Sequence, residues 1–516
     1  MLKKYRKIPI LLITLIFIFT IFLDNPTPAN SQAQEKLTFI YLYGGTTQDY
    51  INQYQKTKGS IDIVSPNYFD LDANGEAIIK VDKALTTYMQ KQGVKVIPFL
   101  SNHWDRASGQ IAISTPEKRE KLAQDLVQSV INHQLDGINI DLENLTYEDK
   151  DNLTAFIKIL STKLQPLNKE LSIAVGSVEK HLTSGWKSAY DLANLSKYAD
   201  YLFVMAYDQS WRGSAPGPVA ALPWVEKQLQ YMLTQIPKGK LILGVPFYGR
   251  AWTNGEGGGG ITHSDTIQEV RQNKANISWH QEHKVPFVKY SAKGSTREIW
   301  FENARSTQEK IRLINKYDVA GMGGWRLGQE DLSLWNDISH WLRGSYFTDM
   351  LNHWAEKDVL FLNNQGIIAG RDYNTYDPDA PVTRAEAVSI LSRIFNWNYN
   401  ISNPFQDVPN NHWAIKPILG AYREGVIAGI EAKKFGPQNN LTRAQLAVIL
   451  QRAFQLELTD KPGKQFSDVP SSHWAFKEIK ILNSHGLLGG RTESQFVPEG
   501  NVTRGELAAL VTRVLK

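Results

Sequence analysis

The chain has 516 residues and not one cysteine. That absence excludes disulfides, thiolate metal centres and a lipid-attachment cysteine. Surplus charge is also scarce. Of the formal net charge of +5, residues 1–33 contribute four Lys or Arg against one Asp, which leaves about +2 on the remainder. The basic balance therefore gives no reason to expect a nucleic-acid partner. No basic cluster is interleaved with aromatics as a strand-binding groove would require. Long apolar runs are missing after residue 23. The single such run, Ile8 to Leu23, follows Lys3, Lys4, Arg6 and Lys7 and precedes the small residues Ala29, Ser31 and Ala33. It reads as an export signal over residues 1–33, with an uncleaved anchor as the alternative; membrane contact is expected only in that second case.

Aromatic residues are plentiful, with 14 Trp and 21 Tyr. They serve either as stacking platforms for flat ligands and sugar rings or as core filling. Repeats organise the C-terminal third. Phe347-Thr-Asp349, Phe405-Gln-Asp407 and Phe466-Ser-Asp468 each lead to His-Trp-Ala, at residues 353–355, 412–414 and 473–475. The three Trp are 59 and 61 residues apart. Each unit ends in Thr-Arg before an apolar helical pattern, at Thr383-Arg384, Thr442-Arg443 and Thr503-Arg504. Glu386, Gln445 and Glu506 fall three residues after the Thr, as in a capping box. The units divide at 345–403, 404–464 and 465–516. His353, His412 and His473 read as partners of the adjacent Trp rather than metal ligands.

Residues 36–343 alternate short β-rich runs with helical patterns. The strand candidates are 37–43, 61–66, 94–100, 137–143, 171–177, 200–207, 240–247 and 318–325. Helix starts are expected at Thr115-Pro116 and Thr146, and Ser306 with Glu309 frames another. Eight β/α units predict an α/β fold, a (β/α)8 barrel of the TIM type, with a doubly wound sheet as the alternative. Residues 252–299 are too long for a crossover and predict a small α+β insertion between strands seven and eight. Within it, Gly257–Gly260 reads as a flexible loop without the Lys and Ser/Thr of a phosphate loop.

The richest segment is Asp136-Gly-Ile-Asn-Ile-Asp-Leu-Glu143. On a strand, Asn139, Asp141 and Glu143 share one face and Ile138, Ile140 and Leu142 the other. A barrel strand is buried on both sides, so a polar face is unfavourable unless it is paired or does chemistry. Reactive groups of such barrels sit at the C-terminal strand ends, and Asp141 stands about 6.6 Å behind Glu143 on the same strand. A neighbouring carboxylate and partial burial both raise a carboxyl pKa, which suits Glu143 to general-acid work. Two carboxyls on one strand cannot readily flank a glycosidic bond. If the chemistry is glycoside hydrolysis, the geometry favours substrate assistance, with an acetamido group as nucleophile and Asp141 orienting it. A divalent-metal site at Asp141 and Glu143 is the alternative, although no third ligand is evident; no metal or cofactor is expected.

These residues resemble the family-18 glycoside hydrolases, the chitinase-like family, whose strand-four signature is Asp-Gly-x-Asp-x-Asp-x-Glu. Three further segments agree in order: Met205-Ala-Tyr207-Asp208, Gly244-Val-Pro246-Phe-Tyr248-Gly249-Arg250, and Gly324-Trp325. The resemblance implies that Glu143, Asp141 and Tyr207 are catalytic. It implies substrate contacts from Asp208 and from Trp325 under the reacting sugar. Asn139, Tyr248 and Arg250 are counted with the substrate-binding set. Trp104, Trp211 and Trp252 follow strand ends and are candidates for further sugar subsites; Trp186 and Trp224 read as packing. Asn139 departs from the family's middle Asp and resembles the spore-cortex and peptidoglycan N-acetylglucosaminidase branch. A binding-only relative of the family is the alternative to an enzyme. The repeats resemble S-layer homology (SLH) modules, which form an all-α pseudo-threefold bundle. The resemblance implies that Arg384, Arg443 and Arg504 meet an anionic cell-wall polymer. The whole then reads as an exported enzyme of the cell envelope, tethered to the wall, acting on an N-acetylated glycan.

Overall fold

The computed structural model describes residues 36–516 other than 293, 398, 400 and 462; the expected export signal lies outside the described residues. Each of the eight runs supplies a strand of one parallel barrel: Leu37–Leu42, Ile63–Leu71, Phe99–Ser101, Gly137–Asp141, Glu170–Gly176, Tyr201–Met205, Leu241–Pro246 and Gly321–Trp325. Neighbours pair in chain order. The first strand pairs with both the second and the last, which closes the ring and excludes an open doubly wound sheet.

The strands read as they do because both faces are covered. Ile138, Ile140 and Leu142 face outward and share a core with Leu122 and Leu126 of helix Pro116–Asn132 and with Leu153, Phe156 and Ile157 of helix Lys150–Leu164. The lumen is filled largely by aromatics, including Phe39, Tyr41, Phe99 and Phe203. That bulk explains a glycine in the last strand: a Cβ on Gly323 would stand 2.0 Å from the Phe203 ring. Thr115 caps and Pro116 opens the expected helix. At the later start the cap is Asn303, with Ser306 at the third helical position donating back to it, so the frame expected from Ser306 begins one turn earlier.

Between the seventh and eighth strands, residues 248–300 form a five-stranded antiparallel sheet with helix His263–Asn273 against it. The glycine run is not a loop. Glu256–Thr262 is an edge strand of this sheet, paired with Tyr248–Thr253. Glycine is needed where the strand passes the Trp211 backbone: a Cβ on Gly258, at φ +76, would lie 2.7 Å from the Trp211 carbonyl.

The C-terminal region is a ring of three helix pairs. Helix Glu356–Asn364 packs on Arg504–Leu515, Ile415–Arg423 on Arg384–Phe395, and Phe476–Ser484 on Arg443–Phe454. Isolated bridges Pro381–Thr503, Thr383–Asn440 and Thr442–Asn501 close the same cycle at the axis. All three Thr caps form capping boxes with residues 386, 445 and 506. The ring sits directly on the barrel. Arg312 of helix Ala304–Tyr317 stacks 3.8 Å from the Tyr346 ring centroid, and Gln308 donates to the Tyr346 carbonyl. Among the described residues no helix is long and apolar enough to cross a membrane.

Candidate active site

Strand four delivers its polar face in two layers. Asn139 lies in the lower layer and is fully buried. Its Oδ1 accepts from the Tyr41 hydroxyl at 2.7 Å and its Nδ2 donates to the Ser172 hydroxyl at 2.8 Å. This corrects the expectation of substrate contact. The amide is engaged at both ends beneath the cleft and braces strand four between strands one and five. Both supporting residues, Tyr41 and Ser172, went unnoticed in the sequence. Tyr41 left one trace, the alternation of Phe39, Tyr41 and Tyr43 along strand one.

Asp141 ends the strand and is 6% exposed. Its Oδ1 has no hydrogen-bond partner among the described residues. Burial alone pushes its carboxyl up to about 7. Glu143 follows two residues beyond the strand, with its backbone clamped by one side chain. Asn102 accepts from the Glu143 N–H at 2.9 Å and donates to the Glu143 carbonyl at 2.8 Å. Tyr190 donates to the neighbouring Leu142 carbonyl at 3.1 Å. The Glu143 carboxyl is raised well above the ordinary range, first by burial, then by Asp141 and Asp208, with Lys187 opposing. Neighbouring acids in a dry setting cannot both ionise near neutrality, so the pair retains a proton where an exposed carboxyl would have lost it.

Tyr207 and Asp208 follow strand six. Tyr207 packs edge-on to Tyr248 with 6.3 Å between ring centroids, and burial keeps its hydroxyl protonated. Asp208, at φ +59, is held by the strand-seven segment. Tyr248 donates to its Oδ1 at 2.6 Å, and Arg250 donates to the same oxygen from Nε at 2.9 Å and Nη2 at 2.7 Å. Tyr248 and Arg250 are therefore committed to Asp208, and Arg250 also to the Gly258 carbonyl. Trp325 ends the last strand, half-buried on an aromatic bed of Tyr41, Tyr43 and Phe99, with ring centroids 5.2 to 6.4 Å away. The structure thus gathers Asp141, Glu143, Tyr207, Asp208 and Trp325 at one mouth of the barrel.

Two of the expected Trp flank this mouth in the open: Trp104 is 50% and Trp211 is 55% exposed. Trp252 does not join them. It is fully buried in the insertion against Val285 and Trp300, with its indole N–H donated to the Ser214 carbonyl, so the subsite expectation for it is overturned. Trp224 packs against the main core as expected. Trp186 meets Trp104 edge-on at 5.2 Å. Among the described residues no group of three His, Asp or Glu assembles that would hold a metal ion.

In the ring, each Thr-Arg arginine reaches into the next unit. Arg384 donates to the Phe435 and Ala428 carbonyls, Arg443 to Phe496 and Gly489, and Arg504 to Tyr376 and Ala369. Each guanidinium also covers the aromatic ring that supplies one of those carbonyls, at 4.5 to 4.8 Å. All three are buried at 6 to 7% exposure. The remaining nitrogen distinguishes them. Arg504 meets Glu386 at 3.3 Å and Arg443 meets Glu506 at 3.9 Å. Around Arg384 the matching residue is Gln445, and the groove there, about 360 Å³, is lined by Arg384, Gln445, Arg452 and Trp474. The groove at Arg504, about 230 Å³, carries Glu386 among Arg371, Arg393 and Trp413. His353, His412 and His473 each accept, through Nδ1, from the N–H two residues on and lie against their Trp.

Comparison with known proteins agrees with this division. The family described as "Glycosyl hydrolases family 18" matches residues 34–330. The S-layer homology domain matches residues 346–388, 404–447 and 465–508. A putative sporulation-specific glycosylase, YdhD of Bacillus subtilis, is 30% identical over 241 residues, 46% of this chain and 56% of YdhD. The cortical fragment-lytic enzyme of the same organism is 25% identical over 271 residues, 50% of this chain and 63% of that enzyme. In both cases the match spans less than two thirds of the relative. A crystal structure of a chitinase from Chromobacterium violaceum superposes with a TM-score of 0.54 at 25% identity, covering 60% of this chain and 99% of the chitinase.

Proposed function

Because the chain belongs to glycosyl hydrolases family 18 and is a glycosidase carrying S-layer homology domains for cell-surface anchoring, we propose that it cleaves β-1,4 bonds of an N-acetylglucosamine-containing glycan, peptidoglycan before chitin, by substrate-assisted hydrolysis with retention. The observation that carries the reading is the pair at the end of strand four: Glu143 at the cleft and, behind it, a buried Asp141 whose Oδ1 has no hydrogen-bond partner among the described residues.

An acetamido N–H is a fitting partner for that oxygen. With it in place, the acetamido carbonyl oxygen attacks the anomeric carbon of its own sugar while Glu143 gives its proton to the glycosidic oxygen, and the leaving sugar departs. Asp141 stabilises the positive charge that spreads onto the acetamido nitrogen. Glu143, now a carboxylate, takes a proton from water, and the water oxygen opens the ring intermediate from the face the leaving group left. Two inversions give retention. Tyr207 stays a hydroxyl donor through the cycle because burial opposes its ionisation. Trp325 supplies the floor under the reacting sugar, and Trp104 and Trp211 extend the stacking surface. Asp208, fixed by Tyr248 and Arg250, orients the acetamido group from the other side.

Peptidoglycan is favoured by the relatives' names, a putative sporulation-specific glycosylase and a cortical fragment-lytic enzyme, and by a wall tether on the same chain. The tether itself reads the wall through an anionic polymer, and the groove at Arg384 is its best seat, since among the described residues no carboxylate lines that groove and Asp407 acts on the arginine only from a distance. Incubating the full chain with peptidoglycan and with chitin oligomers, and following anomeric configuration by proton NMR, tests both substrate and stereochemistry. Inverted product would exclude the mechanism, and turnover of chitin alone would exclude the substrate.

A further inference from the structure

The loop after strand five doubles back through a short turn, Trp186–Ala189. It lies so close over the strand end that a Cβ on Gly176 would stand 2.8 Å from Lys187 Cγ and from the Trp186 ring. The stem of Lys187 is thereby pressed onto the strand, and its Nζ donates to the Ser177 carbonyl at 2.9 Å. Strand five lies between strand four, which leads to Glu143, and strand six, which leads to Asp208. Both carboxylates act on the Lys187 ammonium, although burial outweighs them and lowers its pKa. Among the described residues it closes no salt bridge, and one hydrogen bond leaves two of its three donors unspent. The ammonium also lies 5.6 Å from the Trp186 ring centroid, but a half-buried ammonium with two free donors is unfavourable unless something supplies acceptors. Beside it stands the aromatic flank of Trp186 and the open Trp104.

We propose that Lys187 reads the free lactyl carboxylate of a muramic acid residue on the leaving-group side of the scissile bond. This rests on the hydrolytic reading above and names its substrate more closely. In a glycan alternating N-acetylglucosamine and N-acetylmuramic acid, both sugars carry the acetamido group that substrate assistance needs. The acetamido pocket therefore cannot choose the register; only the 3-O-lactyl group differs. A cation at the end of the strand beside the one that leads to Glu143, the group that protonates the leaving oxygen, selects the acidic sugar as leaving group, so N-acetylglucosamine becomes the new reducing end. In wall glycan bearing stem peptides that carboxyl is an amide and uncharged. The reaction that supplies this substrate is then an amide hydrolysis that strips peptide from the muramoyl group.

The test uses the full chain carrying Glu143→Gln, so that ligands bind without turnover. Its affinity is measured for a tetrasaccharide alternating N-acetylglucosamine and N-acetylmuramic acid with free carboxylates, for the same tetrasaccharide with the carboxylates reduced to alcohols, and for chitotetraose. The free acid is expected to bind about tenfold tighter than the alcohol, the usual scale for a hydrogen bond to a charged group. Lys187→Met keeps the packed stem and should bring that ratio near one while leaving chitotetraose affinity in place; Lys187→Arg should preserve the ratio. Equal binding of acid and alcohol by the parent, a preference surviving in Lys187→Met, or a parallel loss of chitotetraose binding overturns the proposal. A wild-type chain that cuts neither glycan would fail the hydrolytic reading, and the binding ratio would still decide on Lys187.

Discussion

Asp141 in the barrel and Arg384, Arg443 and Arg504 in the C-terminal ring are all ionisable and almost enclosed, yet the fold treats them in opposite ways. Each arginine is given two backbone carbonyls and an aromatic face, and two of the three also have a carboxylate. Asp141 keeps an oxygen without a hydrogen-bond partner among the described residues, next to a second acid, in a buried site. Satisfied buried charge acts as a staple, here one from each unit to the next around the ring. Unsatisfied buried charge is stored free energy, and a partner brought by substrate releases it. The contrast supports the proposed placing of the chemistry in the barrel and a bracing role for the ring's arginines.

The sharpest way to break the contrast is Glu143→Gln. It keeps the backbone clamp from Asn102 but removes the proton. A loss of turnover of about 10³-fold or more is expected from steady-state hydrolysis of a wall-glycan fragment, in line with general-acid catalysis. Activity within tenfold of wild type would remove Glu143 from the acid's role. Next in size is the opposite intervention, Arg504→Met. It leaves the Tyr376 and Ala369 carbonyls without that donor, while Glu386 keeps Arg371 and Thr383, so unfolding should become easier by about 3 kcal/mol. Denaturant titration followed by Trp fluorescence measures it, with glycan turnover by the barrel little changed at 25 °C.

How much of this was legible beforehand divides along the same line. The eight strands were visible because burial on both faces writes continuous apolar runs, and the polar face of 136–143 was visible because it breaks that rule. The repeat showed itself through spacing. Three things were hidden. Gly257–Gly260 has no side chains to carry a strand's alternation, and its pairing with 248–253 is set by backbone alone. Trp252 sits on a strand whose burial depends on a sheet built from residues up to 300. The supports of the site, Tyr41 under Asn139 and Asn102 around Glu143, act across 98 and 41 residues of sequence, so no local pattern marks them. The arginines illustrate the remaining gap. Their motif suggests ligand contact, but the carbonyls that occupy most of each fork lie 44 to 135 residues away.

Stability should sharpen the comparison through pH. Both Asp141 and Glu143 have carboxyls raised in the folded chain, Asp141 to about 7. The folded state thus holds protons that the unfolded state releases near pH 4. The stability this linkage confers is fully present below about pH 4 and is lost as pH rises through about 7. Replacing both groups, Asp141→Asn with Glu143→Gln, should raise stability by roughly 2 to 4 kcal/mol at pH 8, and the gain should vanish toward pH 4. Melting temperatures of the two proteins across that range check it. A pH-independent difference would mean that packing, not ionisation, separates them. Arg504→Met should show the reverse pattern, a loss that persists over the whole range.

Within the ring the comparison narrows to one residue. Gln445 stands in the Arg384 groove where Glu386 stands beside Arg504 and Glu506 beside Arg443. If an anionic wall polymer is drawn to the arginine that lacks a paired carboxylate, Gln445→Glu supplies the competitor that stands beside the other two. Glu also serves at the third helical position of a capping box, as residues 386 and 506 do, so the helix start is kept. Co-sedimentation of the full chain with purified wall, at fixed ionic strength, should then weaken by roughly three- to tenfold, the range of a partly exposed charge pair. The reciprocal change, Glu386→Gln, should strengthen it by less, because Arg371 and Arg393 already surround that groove and its volume is smaller. Unchanged sedimentation in Gln445→Glu would place the polymer elsewhere on the ring, and would make Arg384 a staple like the other two.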